Sequence, residues 1–396
     1  MIRKLISTKI KFHLKAFVSI GLTLILLTLT TACGTTPVTA EERMFRDLSV
    51  EFLGEYQLPE KTFENTPIGG LSGITYDRAT SRFYAISDDR SNYAPARFYT
   101  LNMVLDTPNT GEIALKRVEV EDVTFLKNEQ GETFPKGSLD TEGIALSPRR
   151  TLFISSEGSP RIGVDPFIAE FNLETGQIIQ RLSLPPQFLP NPEADTPQGV
   201  QENLGFEALT LSPGGLAPED PFRLFTATEA ALQQDQTPAS PEEESERIRF
   251  LHYVVNPIGK PMFIAEHLYL LDLVPEGALK YGLPELTALD KEGFLLSLER
   301  SFSLIGFDVK LYQIAIANAT DISKIQSLAG DISQIQPIQK KLLLNLSDLG
   351  IYIDNLEGMT LGPRLPDGSQ SLLMVSDNNF NEIQVTQFLL FRLKEN

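Results

Sequence analysis

Histidine and cysteine are nearly missing from this 396-residue chain, which holds three of the first and one of the second. No His-x-x-x-His or Cys-x-x-Cys spacing occurs, and His252 and His267 fall inside predicted strands. A zinc site or a cysteine nucleophile is therefore not expected. Gly-x-Ser-x-Gly is absent, which removes a nucleophile elbow, and no P-loop or dinucleotide fingerprint appears. Basic residues are few: 34 Lys and Arg stand against 52 Asp and Glu. Nucleic acid is not an expected partner, because its binding rests on neutralising phosphates with Lys and Arg. Long apolar runs are confined to one stretch near the start, and nothing else is long enough to span a bilayer.

That stretch has an order of its own. Arg3, Lys4, Lys9, Lys11 and Lys15 precede the apolar run Ala16–Leu29, and Thr-Thr-Ala-Cys33 closes it. Basic, apolar, small is the order of a secretory signal, and a cysteine directly after a small residue resembles a bacterial lipoprotein signal. Thr30 departs from the pattern, since Leu is usual there. The expected organisation is a signal peptide at 1–32, a tether at 33–46 and one domain over 47–396, with lipid on Cys33. The domain is then expected in the bacterial cell envelope, in the periplasm or on the cell surface. An uncleaved N-terminal anchor and plain secretion are the alternatives. Loss of residues 1–32 removes five of the 34 basic residues and no acid, leaving a balance of −23 against the 52 acids. Such a charge favours solubility and cation binding.

What the chain does have is a repeat. Five times a short strand opening on a polar residue is followed by a second strand ending in an acid. The copies are Gly70-Leu-Ser-Gly-Ile-Thr with Phe83-Tyr-Ala-Ile-Ser-Asp88, and Thr141-Glu-Gly-Ile-Ala with Leu152-Phe-Ile-Ser-Ser-Glu157. Phe206-Glu-Ala-Leu-Thr goes with Leu224-Phe-Thr-Ala-Thr-Glu229, and Pro284-Glu-Leu-Thr-Ala with Phe294-Leu-Leu-Ser-Leu-Glu299. The fifth joins Leu356-Glu-Gly-Met-Thr to Leu372-Leu-Met-Val-Ser-Asp377. The opening slots read Ser72, Glu142, Glu207, Glu285 and Glu357, at steps of 70, 65, 78 and 72 residues. Strands repeating at a near-constant period form radial or solenoid arrays, because no unit buries its own face.

Four strands fit each of the first four copies but only three the fifth. The alternating segment Leu48–Leu58 stands before the first motif without a partner. Pairing it with the last strand closes a circle and removes the open edges. The predicted fold is thus an all-β propeller of five blades. Six remain possible, because residues 100–140 and 302–356 are long inter-motif stretches, the second with a helix-like Ile322–Leu328. Gln233–Glu246 and Gln187–Gln201 read as surface loops.

In a hairpin, the start of one strand and the end of its partner share an edge. Five blades around an axis would bring nine carboxylates to one rim. Two like charges about 5 Å apart repel by about 3 kcal/mol at an effective dielectric of about 20, so the ring needs counter-charge. Asp88 and Asp89 followed by Arg90 form the strongest local cluster, and Glu299-Arg300 repeats the acid–arginine pairing. Asp140 and Glu142, like Asn355 and Glu357, are two residues apart and so on one face of an extended segment. An acid repeated in every blade also has a structural reading, as a backbone tie between blades. Ser72 as a serine nucleophile lacks a rim histidine to activate it.

The motifs resemble the phytase-like family known for an esterase-like activity of phytase. The likeness lies in Asp140-Thr-Glu-Gly-Ile-Ala, Ser156-Glu-Gly-Ser, Pro166-Phe-Ile-Ala-Glu-Phe and Asn203-Leu-Gly-Phe-Glu-Ala-Leu. It continues in Ala227-Thr-Glu-Ala-Ala-Leu, Gly282-Leu-Pro-Glu-Leu, Leu298-Glu-Arg-Ser-Phe, Asn355-Leu-Glu-Gly-Met-Thr and Val375-Ser-Asp-Asn-Asn-Phe, and covers about residues 50–394. The resemblance implies a propeller and cleavage of an ester or phosphoester. Calcium takes six to eight oxygen ligands, which such a rim supplies, and it would activate water as the nucleophile. The expected calcium ligands are Asp88, Asp89, Asp140, Glu142, Glu157, Glu207, Glu229, Glu299, Glu357 and Asp377. Asp88, Asp89 and Glu142 are the expected catalytic groups, and Arg90 and Arg300 the expected substrate binders. The expected partners are a small-molecule ester or phosphoester and, through Cys33, a membrane; the oligomeric state stays open. Two other readings are a non-catalytic binding propeller of the envelope and a metal-dependent lactonase or carboxylesterase.

Overall fold

Each second strand of the repeat is apolar at successive positions, and the computed structural model shows why. The structure describes residues 44–395 apart from 107–112, 192–195, 216 and 238–243. Cys33 and the signal-like segment lie outside the described residues. Blade I consists of Leu71–Asp77, Arg82–Ser87, Arg97–Asp106 and Ala114–Phe125 in that spatial order. Blade II is Thr141–Leu146, Thr151–Ser156, Phe167–Asn172 and Ile178–Arg181, and blade III Phe206–Pro213, Phe222–Thr228, Arg247–Val255 and Met262–Leu270. Blade IV is Ala278–Ala288, Phe294–Ser303, Gly306–Ala315 and Gln339–Asn345. Blade V takes Leu356–Arg364, Gln370–Ser376 and Gln387–Glu395, and its outer strand is the N-terminal Leu48–Gln57. That strand pairs antiparallel with Gln387–Glu395, the closure the alternation of Leu48–Leu58 calls for. Among the described residues no sixth four-stranded sheet exists.

The cores make the circle. Side chains alternate across a strand, so Phe83 and Ala85 pack toward blade V while Tyr84 and Ile86 pack toward blade II. Phe153 likewise faces blade III while Leu152 and Ile154 face blade I. Five apolar clusters fill the five gaps between successive blades, with the gap between blades V and I filled like the others. A blade buried on both faces needs a continuous apolar run.

Around the axis the innermost strands touch directly. A Cβ on Gly73 would sit 2.5 Å from the Glu142 carbonyl, and one on Gly143 would sit 2.4 Å from that of Glu207. Glycine is required there for close approach. The Ser72 hydroxyl donates to the Glu142 carbonyl at 3.0 Å, the Leu146 N–H donates to Thr75 Oγ1 at 3.1 Å, and the Ala288 N–H to Thr210 Oγ1 at 2.9 Å.

Three expectations change at the periphery. Ile322–Leu328 is not helical: Ile322 and Leu328 pack on Leu268, and the Ile322 and Ile338 amides bond the Glu266 and Leu268 carbonyls. The segment thereby covers the edge strand of blade III. Gln233–Asp235 is a 3-10 turn rather than solvated loop, because Asp235 is wholly buried against Arg249. Gln187–Gln201 is anchored as well: Phe188 and Val200 are buried, and Gln187 Nε2 donates to Glu266 at 3.0 Å.

Candidate functional site

In every inner strand the pairing slips at the repeat's opening slot. The irregularities fall between Leu71 and Gly73, Thr141 and Ile144, Phe206 and Leu209, Gly282 and Glu285, and Leu356 and Gly358. A bulge re-aims the side chain it carries, which turns Ser72, Glu142, Glu207 and Glu357 toward the axis. In blade IV the bulged residues are Leu283 and Pro284, so Glu285 lies one residue past the slot. The second strands agree. The amides of Asp88, Glu157, Glu229 and Asp377 bond the carbonyls of Gly70, Asp140, Gly205 and Asn355, whereas in blade IV Gly282 is paired with Arg300. The fourth copy is therefore offset by one residue from the alignment that puts Glu285 and Glu299 in the ring. Pro284 and Arg300 occupy its two slots.

Seven repeat acids and one arginine result. Asp88, Glu142, Glu157, Glu207, Glu229, Glu357 and Asp377 converge with Arg300, and Asp140 joins them from the strand entry of blade II. All of them but the deeper Glu157 line the floor of an open pocket of about 960 Å³. Arg300 Nη2 meets Glu229 Oε1 at 2.7 Å, and its Nη1 donates to Asn355 Oδ1 at 2.8 Å and to Glu357. Asn355 Nδ2 donates to Glu357 Oε1 at 2.8 Å. The sole charge of opposite sign in the ring is thus spent on it, rather than standing free for a substrate.

Among the described residues, two carboxylate triads of this ring have oxygens close enough for one cation. Oxygens of Asp140, Glu142 and Glu157 lie within 4.8 Å of one another, as do those of Glu157, Glu207 and Glu229. Glu157 Oε1 accepts from the Gly205 amide at 2.5 Å. Glu207 is 8% exposed, and its Oε2 is buried with no hydrogen-bond partner. Leaving a buried acceptor unsatisfied costs about 1–3 kcal/mol, and more for a charged group, unless a proton or a cation meets it. The donors are all hard oxygens, which fits calcium rather than zinc.

Burial raises the carboxyls of Asp88, Glu142, Glu157, Glu207 and Asp377 well above the usual carboxylate range, and neighbouring acids push the same way. Asp140 and Glu357 are raised by burial too, against the pull of Arg90 and Arg300 respectively. Arg90 ion-pairs Asp140, donates to Asn203 Oδ1 at 2.5 Å, and keeps 31% of its side chain exposed at the pocket edge. It is a cation that a ligand reaches, as is the exposed Lys280, which lines the same pocket.

Other predicted residues are engaged within the fold. Asp89 borders the pocket, but its carboxylate is spent within the fold: it pairs the fully buried Arg97 at 2.7 Å and accepts from the Asn92 and Ala94 amides. Asp89 holds a turn. Glu299 is turned into the gap between blades III and IV, where Tyr269 donates to it at 2.7 Å, the Asp272 amide at 3.0 Å, and Tyr281 and Lys340 also bind. Glu285 accepts the Leu209 and Leu286 amides and ties blade III to blade IV. Ser72 is buried with its hydroxyl on backbone carbonyls, so nothing activates it. Sequence reasoning missed Asn203 and the apolar pocket wall. For the wall a signal existed: Leu304-Ile305 in place of turn residues between two strands.

The sequence profile of the phytase-like proteins, described as "Esterase-like activity of phytase", matches residues 66–380. The chain belongs to the phytase-like family. No curated protein matches its sequence. Among solved structures, this phytase-like chain is similar to an endo-arabinase from Bacteroides thetaiotaomicron at 11% identity and TM-score 0.38, covering 83% of this chain and 96% of that one. A Bombyx mori GH32 β-fructofuranosidase matches at 10% identity and TM-score 0.37, over 88% and 63% of the two chains. Kuenenia stuttgartiensis hydrazine synthase matches at 11% identity and TM-score 0.34, over 86% and 66%. Likenesses this distant carry no argument about chemistry.

Proposed function

We propose that this phytase-like propeller is a calcium-assisted hydrolase of a phosphomonoester or related ester. The carrying observation is the pair of buried triads sharing Glu157, with the orphaned Glu207 Oε2 aimed among them beneath an open pocket. Asp140, Glu142, Glu157, Glu207 and Glu229 would hold the ion. Calcium bound there would offset phosphate charge and lower the pKa of a water nucleophile. Arg90 at the pocket edge binds the anionic group of the substrate. Asp88, whose carboxyl is pushed up by burial and by neighbouring acids and which is outside the ion-holding set, exchanges the proton that the leaving group takes up. Asp89, Arg300 and Glu299 are left out, since their polar atoms are engaged within the fold. The domain works outside the cytoplasm, held by lipid on Cys33; Cys33→Ala should leave the protein unprocessed or released from the membrane fraction.

The deciding experiment is a panel of phosphate monoesters, carboxylic esters and lactones assayed with calcium and with chelator. Calcium-dependent turnover that falls at least 100-fold in Glu142→Gln supports the reading. Turnover of carboxylic esters alone would shift it to a metal-dependent carboxylesterase. Calcium binding without turnover of any ester would leave a binding propeller.

A further inference from the structure

The acidic floor has an apolar wall that runs from blade IV past blade V to blade I. In blades I, II, III and V the second strand ends at Ser87, Ser156, Thr228 and Ser376, level with the floor. In blade IV it continues through Arg300 to Ser303 and returns from Gly306, so a hairpin tip stands above the pocket. Its two turn residues are Leu304 and Ile305, 89% and 99% exposed, and both line the pocket. Two-residue hairpin turns select Asn, Asp and Gly, so aliphatic residues there are not chosen for the turn. A ring contact of 4.9 Å between Phe302 and Phe307 braces the tip from below. Tyr352 and Ile383, 56% and 84% exposed, continue the wall along blade V. Tyr93, packed on Phe380 at 4.8 Å, carries it to blade I. Isolated exposed apolar side chains are ordinary; a contiguous set overlooking one pocket is a binding surface.

We propose that the substrate is amphiphilic: its ester group reaches the acidic floor while a hydrocarbon arm lies along Leu304, Ile305, Tyr352 and Ile383. The ester half rests on the hydrolase reading; the wall does not. Only a ligand with both a charged head and an apolar arm satisfies both halves of the pocket. A bilayer or a second copy laid across the tip would seal the acids under an apolar surface.

The test is calorimetric titration of the full-length protein, in calcium, with methyl-, butyl- and octylphosphonate. Dissociation constants should tighten about twofold to fourfold per added methylene, the upper figure being full burial. Leu304→Ser with Ile305→Ser alters exposed turn positions only, so the fold should persist. It should flatten that series while leaving methylphosphonate unchanged. Equal affinity along the series, no binding by any member, or a slope untouched by the double change overturns the proposal. Loss of self-association, or of sedimentation with phosphatidylcholine vesicles, at an unchanged slope would assign the tip to a second copy or a bilayer and overturn it as well. A clear slope in a protein that cleaves no ester sinks the hydrolase reading and leaves the wall standing.

Discussion

Arg300 is the one cation inside a ring of seven acids, and its removal is the sharpest probe of how that ring is held. Its side chain is 8% exposed and contacts Glu229 and Glu357 directly. At a charge separation of about 4 Å and an effective dielectric of about 20, each pair is worth about 4 kcal/mol before the cost of burying the guanidinium. That cost is large, so the net contribution is smaller than two such pairs. Removing one partner of a buried ion pair nevertheless costs about 3–5 kcal/mol, because the remaining charges stay buried without compensation. Arg300→Met keeps the volume and removes the charge. It should lower the unfolding free energy by about 3–5 kcal/mol in chelator at neutral pH, read from urea melts followed by circular dichroism. Calcium should return part of the loss, since an ion bound only by the folded state at about 100 times its dissociation constant adds about 2.7 kcal/mol. A chelator-treated Arg300→Met protein within about 1 kcal/mol of the parent would refute the reasoning. The ring would then be held by protons and backbone donors alone.

Three further outcomes are expected. Deleting 48–57 strips blade V of its outer strand and leaves Gln387–Glu395 as an open edge, so the variant should aggregate or lose several kcal/mol; an unchanged melting temperature would make the strand dispensable. Asp89→Asn should destabilise by about 3–5 kcal/mol, by stranding the buried Arg97, with the calcium response intact, whereas Glu142→Gln should weaken that response with little loss of stability; reversed outcomes would return Asp89 to the site. Glu246 has its carboxyl pushed up to about 7, by burial first and then by Glu229. Its folded-state pKa lies above the unfolded value, so its stabilising share is complete below about pH 4.5 and vanishes as pH climbs through about 7. Glu246→Gln should thus stabilise by about 3 kcal/mol at pH 8 and by less than about 1 kcal/mol at pH 5; a gain of equal size at both pH values would contradict the assignment.

Much of the fold is legible in the sequence, for reasons now visible. A blade buried on both faces writes an unbroken apolar strand, and a period near 70 residues counts the blades. The lone alternating segment before the first motif declares the missing outer strand. The site is harder to read. Moving one slot back and the other forward by one residue leaves the antiparallel pairing of blade IV unchanged, so Glu285 with Glu299 and Pro284 with Arg300 align equally well by pairing. Only the bulge separates them, together with the match of Pro284-Glu-Leu-Thr to Glu357-Gly-Met-Thr. Asp88 and Asp89 illustrate a second limit: adjacency in sequence suggests one cluster, yet alternation sends the two carboxylates to different partners. The structural reading of the repeated acids also holds in part. Glu285 and Glu157 bond backbone amides of the adjoining blade, while Glu207 Oε2 bonds nothing.

The central claim is that the ring holds a divalent cation through Glu157, Glu207 and Glu229 with Asp140 and Glu142. Its most direct test is calorimetric titration of calcium into chelator-treated protein, side by side with Glu207→Gln. The account predicts saturable binding by the parent and at least a tenfold weaker constant in the variant. Absence of binding heat in several buffers, or equal constants for the two proteins, would contradict it.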